Sequence, residues 1–261
     1  MENNISERDV AEFAESFPLS EALRGKSIAI TGATGLLGAC MVRCLLALNK
    51  YRELHLRVLA VIRNREKAVE ILGNECKELG FYCHDFARNE AFAPDERIDY
   101  LLHFAAPTAS RSFVDQPVEV MNTVYDGMRN ILSYARGHRL KSIVLASTLE
   151  VYGTITDDSR PLTESDQGYL DPMAARSSYP LAKRAAEGLC TTMPQSMAYP
   201  SRWHDSPKPS VPVCRKPITA SSPSSPEASS TAQTSSCTPQ ASYPDATAIR
   251  RMPFRPCSIF S

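Results

Sequence analysis

Tyr179 and Lys183 stand four residues apart in the run YPLAK, a spacing that places both side chains on one face of a helix. A phenol with an ordinary pKa of about 10 is mostly protonated at neutral pH, and a close ammonium favours the phenolate. Tyr179 is therefore a candidate general base for a hydroxyl proton. A second hydroxyl group, Thr148, follows Ser147 at the end of an apolar run in LASTLEVYG (145–153), and Glu150 adds a carboxylate two residues later. Glu150 suits either acid–base work or a local hydrogen bond at a strand end.

Gly32, Gly35 and Gly38 form GxxGxxG in TGATGLLG, directly after the apolar run SIAIT and directly before ACMVRCLLALNK, which has helical periodicity. Between a strand and a helix, such a loop gives a tight turn at Gly32, backbone approach to a pyrophosphate at Gly35 and close helix–strand packing at Gly38. The loop residues Thr34, Leu36 and Leu37 belong to the same candidate cofactor site, where the helix N-terminus offers N–H groups to phosphates. Past the second strand the sequence reads VIRNREK, with Arg63, Arg65 and Lys67 and no aspartate. These charges lean towards a 2′-phosphate, but they also suit a solvated basic helix start, so NAD and NADP both remain open. Asp85, in CHDF, is placed to accept from an adenine amino group or to serve as an ordinary loop aspartate.

The elements that must position these residues alternate along the chain. Strand-like runs occur at SIAIT, LRVLAVI (56–62), FYCHDF (81–86), DYLLHFAA (99–106) and KSIVLAS. A helical pattern ending near Gly73 follows the second. VEVMNTVYDGMRNILSYARG carries Val118, Met121, Val124, Met128, Ile131 and Leu132 at helical spacing. Alternation of this kind predicts an α/β fold with a Rossmann-like, doubly wound parallel sheet. Residues 6–16 read as a short amphipathic helix, peripheral to the rest, within an N-terminal extension of residues 1–26.

Composition divides the chain. All 11 glycines lie at or before Gly188, whereas 12 of the 19 prolines follow Cys190. The last 71 residues contain 15 serines and no leucine, too little apolar surface to offset ordering entropy. The expected organisation is a dinucleotide-binding domain over 27–190, with an incomplete sheet, and a low-complexity, disordered tail over 191–261. Lys+Arg and Asp+Glu balance at 29 each, so no overall field recruits nucleic acid or an anionic membrane. No signal-like or membrane-spanning apolar run appears, and the expected location is the cytoplasm. The 8 cysteines show no CxxC and no framework spacing, which favours buried thiols over a metal or disulfide role.

TGATGLLG, HFAA (103–106), Asn122 followed by GMRNIL, STLEVYG and YPLAK occur in the order and approximate spacing of the extended short-chain dehydrogenase/reductases. Over residues 27–190 the chain resembles the nucleotide-sugar epimerases, dehydratases and decarboxylases of that family. The resemblance implies that Tyr179 is the base, that Lys183 holds the nicotinamide ribose and lowers the tyrosine pKa, and that Thr148 hydrogen-bonds the sugar hydroxyl being oxidised. It assigns Phe86, Phe104, Ala105, Ala106 and Asn122 to the cofactor wall. It further implies a nucleotide-sugar substrate, a keto-sugar intermediate and a homodimer. Family dehydratases carry an Asp–Glu pair where this chain has Leu149 and Glu150, and leucine cannot act as an acid. Epimerase or decarboxylase-like chemistry therefore ranks above dehydration. The other class of reading is an NAD(P)-binding regulator that kept the fold and lost turnover; the intact Thr148, Tyr179 and Lys183 argue against it.

After YPLAKRAAEGLC the resemblance stops. Regrouping bases from the third position of the Thr192 codon forces alanine across Met193 and Pro194, glycine across Met197 and Ala198, and alanine across Trp203 and His204. With permitted choices elsewhere, that frame reads YAAEYGVPVKMARLTQTFGAGV, the kind of sequence the family has there. A frameshift near codon 191 that replaces the substrate domain is the resulting expectation.

Overall fold

The computed structural model describes residues 7–88, 90–138, 140–156, 160, 162–163, 165–196 and 213–214. Its centre is a parallel sheet in the order β3-β2-β1-β4-β5-β6, formed by β1 (Ser27–Thr31), β2 (Arg57–Ile62), β3 (Leu79–Cys83), β4 (Tyr100–His103), β5 (Ser142–Ala146) and β6 (Val213–Cys214). Every ladder between these strands is parallel.

Strand side chains alternate between two buried layers, as the two-residue period of a strand requires. Ile28, Ile30, Val58, Ala60, Ile62, Leu102 and Val144 face α2 (Leu36–Arg52) and α3 (Arg65–Leu72). Ala29, Leu59, Val61, Leu101, Ile143 and Leu145 face α5 (Pro117–Gly137) and α6 (Ser178–Ser196). The short α4 (Ser112–Asp115) precedes α5, which opens on Pro117, where a missing N–H costs nothing.

Three sequence expectations change. The N-terminal helix, α1 (Glu7–Ser16), is docked and not merely peripheral: Ala14 and Phe17 are buried beside α2, and the Arg52 guanidinium donates to Glu15 O and Ser20 Oγ. On α5 the inward face runs through Val120, Val124, Met128 and Ile131, while Val118 and Met121 are exposed. Both lie on the solvent side because the helix turns about 100° per residue and the sheet-facing stripe is set by the other four.

The third concerns the tail. Leu145 pairs with Val213 and Ala146 with Cys214, so a two-residue strand lies on β5. The free backbone groups of a sheet edge accept a short extended run. The rest of 197–261 lies outside the described residues.

Candidate active site

The glycine loop is built as its spacing implies. Gly32 has φ +66°, and a Cβ there would stand 2.8 Å from Ala105 N. A side chain at Gly38 would meet Gly32 O at 2.1 Å, so α2 can begin tight against the loop only with glycine. Gly35 N donates to Gly32 O at 2.9 Å, and Ala39 N returns to Gly35 O at 2.8 Å. Gly35 occupies the N-cap of α2 without a side-chain cap. Leu36 and Leu37 expose the first turn and Thr34 is half-buried beside it. A helix start with no capping side chain, reached through a turn too close for any Cβ, fits a pyrophosphate.

Below the loop, Thr31 Oγ1 accepts from Ala105 N at 3.1 Å and lies 2.8 Å from His103 Nδ1. The Thr31 hydroxyl, with one proton and two lone pairs, thus joins Ala105 N and the His103 ring in one hydrogen-bonded group. Burial and the nearby Lys183 push the His103 pKa down to about 3, so the ring is neutral and the hydrogen bond persists at neutral pH. This pair fixes the Phe104–Ala106 segment, half-buried beside Gly32. His103 was visible in HFAA but carried no signal, since its partner is 72 residues away.

Thr148, Glu150, Tyr179 and Lys183 come together where β5 ends against α6. Thr148 caps the 3-10 turn Leu149–Tyr152, and its Oγ1 accepts from Glu150 N at 3.3 Å. Burial and the Glu150 carboxylate push the Tyr179 phenol up to about 12, outweighing the opposing pull of the Thr148 hydroxyl. The expectation that Lys183 depresses this pKa is therefore not met. The Lys183 ammonium is turned to Ala146 O at 2.8 Å and lies 5.8 Å from the Tyr179 ring centre. Burial lowers Lys183 itself to about 8, against the opposing pull of Glu187.

Further side chains hold this group, and of these the sequence brought only Ser147 to notice. Phe113 stacks on Tyr179 with ring centres 4.4 Å apart and planes 6° apart. Arg176 lies over the Phe113 ring and pairs with Glu150 Oε2 at 2.8 Å. Ser147 Oγ donates to the buried Glu187. Arg184 donates to Val151 O at 2.6 Å and Gly168 O at 2.8 Å. Only the i+4 and i+8 spacing of Glu187 from Lys183 and Tyr179 on α6 offered a clue.

The other predicted site residues are placed less simply. Arg63 is exposed just past β2. Asp85 accepts from Ala87 N at 3.1 Å, closing its own turn. Phe86 has its side chain in the core, against Gly127 and 5.2 Å from the His103 ring, so it can offer a cofactor only backbone; its apolar ring is drawn inward by the space that Gly127 leaves. Asn122 is exposed on α5 and the described contacts do not join it to the loop.

A glycine cradle at the end of β1 and a threonine–tyrosine–lysine group at the end of β5 define an extended short-chain dehydrogenase/reductase. The chain belongs to the NAD dependent epimerase/dehydratase family, whose sequence model matches residues 28–201. It is 34% identical over 95 residues to UDP-glucuronic acid decarboxylase 1 of Xenopus tropicalis, covering 36% of this chain and 21% of that one. It is 36% identical over 93 residues to UDP-N-acetyl-alpha-D-glucosaminuronate decarboxylase of Bacillus cytotoxicus, covering 35% and 28%. Among solved structures it resembles DesIV, a dTDP-glucose 4,6-dehydratase from Streptomyces venezuelae with NAD and TYD bound, at TM-score 0.53 and 25% identity over 65% of this chain and 52% of that one. The chain thus spans between a fifth and about half of the relatives named here.

Proposed function

We propose that the described domain is the oxidising half of a nucleotide-sugar epimerase or decarboxylase-like enzyme, with Tyr179 as the base. The observation that carries this is the single cluster of Thr148, Tyr179 and Lys183, in which the Lys183 ammonium lies 5.8 Å from the Tyr179 ring centre and is anchored on Ala146 O, two residues before Thr148. A bound nicotinamide dinucleotide supplies the hydride acceptor for the sugar carbon. Tyr179 Oη takes the proton of the sugar hydroxyl, and Thr148 Oγ1 holds that hydroxyl in line. Lys183, anchored on Ala146 O, would hold the nicotinamide ribose and supply positive charge as Tyr179 ionises.

Glu150 is the carboxylate available for a later step, and Arg176 Nη1 pairs with its Oε2 at 2.8 Å. Leu149, exposed at the position of the dehydratase acid, favours epimerisation or decarboxylation over loss of water. The curated relatives named above, both decarboxylases, support the same ranking. The substrate is a nucleotide sugar, and the outer faces of α5 and α6 suit a homodimer, with Val118 and Met121 exposed on α5.

The composition of residues 191–261 favours a second reading, in which this chain binds NAD(P) and turns over little because a frameshift has replaced the sugar-binding half. The test is a single turnover at stoichiometric protein, in which cofactor reduction by UDP-glucuronate or UDP-glucose is followed at 340 nm in wild type and Tyr179→Phe. Reduction by wild type alone supports the enzyme. Equal reduction in both removes Tyr179 from the chemistry. Cofactor binding with no reduction favours the second reading, and the coding DNA then decides its cause: early stop codons in the shifted frame exclude a frameshift.

A further inference from the structure

Ala146, the last residue of β5, and Ser147 after it hold two successive turns of α6. Ala146 O accepts from Lys183 Nζ at 2.8 Å, and Ser147 Oγ donates to the Glu187 carboxylate. Tyr179, Lys183 and Glu187 follow one another at four-residue steps, so they share one helix face. The chemistry proposed for this site uses the first two and leaves Glu187 without a part. Glu187 is nevertheless buried, with 6% of its surface exposed, and Lys183 retains only 2%. Groups of opposite charge, both taken out of water, are costly unless each answers the other.

Among the described residues, the other candidates for that role are neutral or already paired. Burial pushes the Cys190 thiol, one turn further along α6, up to about 12. His103, on β4, is neutral as well. Glu150, in the turn after β5, pairs with Arg176, and Asp115, on α4, pairs with Arg111 in the open. α5 contributes the apolar Val124, Met128 and Ile131 to the layer that holds α6. Burial draws the Lys183 pKa down to about 8, and Glu187 is the largest influence holding it up.

We propose that Glu187, held in place by Ser147, is the positioning residue of Lys183, keeping its ε-amino group protonated and directed at Ala146 O so that a cation stands beside Tyr179 at neutral pH. The proposal rests on the reading of Tyr179 and Lys183 as base and cation. A buried amine without a countercharge sheds its proton. It keeps N–H donors for Ala146 O, so the loss removes the charge and leaves the anchor. Ser147 fixes one carboxylate oxygen by a charge-assisted hydrogen bond, which stops the Glu187 side chain from turning away from Lys183. Neither Glu187 nor Ser147 needs to touch sugar or cofactor for this.

The test is an NMR titration of the full chain carrying a carbon-13 label at lysine Cε, in which the Lys183 signal is identified by its loss in Lys183→Met. The expected wild-type midpoint is about 8. Glu187→Gln keeps the size of the side chain and an acceptor for Ser147 Oγ, and should lower that midpoint by at least about one pH unit, a tenfold change in the equilibrium. Glu187→Asp, which keeps the charge, should restore part of the shift. Ser147→Ala, which leaves α6 untouched, should lower the midpoint by less than Glu187→Gln does. An unchanged midpoint in Glu187→Gln overturns the proposal. A midpoint as low in Glu187→Asp as in Glu187→Gln assigns the effect to packing and overturns it too. If Glu187→Gln does not fold, Ser147→Ala decides, and an unchanged midpoint there overturns the proposal. The titration reads Lys183 whether or not the chain reduces a cofactor, so its failure is distinct from a failure of Tyr179→Phe to abolish reduction.

Discussion

Thr31 Oγ1 lies 2.8 Å from His103 Nδ1 and at the same time accepts from Ala105 N at 3.1 Å. The hydroxyl links the Ala105 amide to the imidazole, and the imidazole is neutral because it is buried near Lys183. A strand residue beside the glycine loop thereby fixes the strand end that packs against Gly32.

His103 therefore couples acid stability to the cofactor cradle. Its folded pKa of about 3 lies below an ordinary value of 6.5. Between these values the unfolded chain binds the extra proton, so stability should fall as pH drops through that window. The slope is at most about 1.4 kcal/mol per pH unit. His103→Asn keeps an acceptor near Thr31 Oγ1 and removes the titration. Urea midpoints at pH 7 and pH 4.5 should diverge more in wild type than in the variant; equal divergence contradicts this assignment.

Lys183 gives the opposite window. Burial lowers it from 10.5 to about 8, so the folded chain sheds the proton first and the stability contribution of this group should rise between those values. Tyr179, raised from 10.0 to about 12, works against that gain only above pH 10. Lys183→Met should flatten the rise between pH 8 and pH 10, and loss of the donor to Ala146 O should cost about 1–3 kcal/mol at neutral pH. A rise of the same slope in the variant would assign it to another group.

Arg184 is predicted to hold the active-site turn. Its guanidinium ties Val151 O and Gly168 O, while Gly168 N donates to Tyr152 O at 2.7 Å and Thr154 N to Tyr169 O at 2.9 Å. Arg184→Ala should cost about 1–3 kcal/mol and speed hydrogen exchange at the amides of Gly153, Thr154 and Gly168. Protection unchanged at those three amides rejects the brace.

Much of the fold was legible because its information is local. SIAIT, VLAVI and SIVLA are continuous apolar runs, the signature of strands covered on both faces, and each became a central strand. The glycine loop and YxxxK were equally visible, since their roles depend on spacings of three and four residues. What escaped depends on contacts across the chain. Arg176 meets Glu150 over 26 residues and Arg184 meets Val151 over 33, and a single arginine in a helix announces neither. The tyrosine pKa was misread for the same reason: spacing puts Lys183 beside Tyr179, but only the packed structure shows its ammonium turned to Ala146 O. Val118 and Met121 show the converse, apolar residues at the right period on the wrong side of α5.

The central claim, a dinucleotide cradle formed by the loop from Gly32 to Gly38, is tested most directly by titrating the full chain and Gly32→Ala with reduced dinucleotide. Alanine at φ +66° is strained by about 1–2 kcal/mol, and its Cβ would stand 2.8 Å from Ala105 N. Saturable binding of one dinucleotide per wild-type chain, weakened about tenfold or more in the variant, is the predicted result. No binding by folded wild-type chain, or undiminished binding by Gly32→Ala, would contradict it.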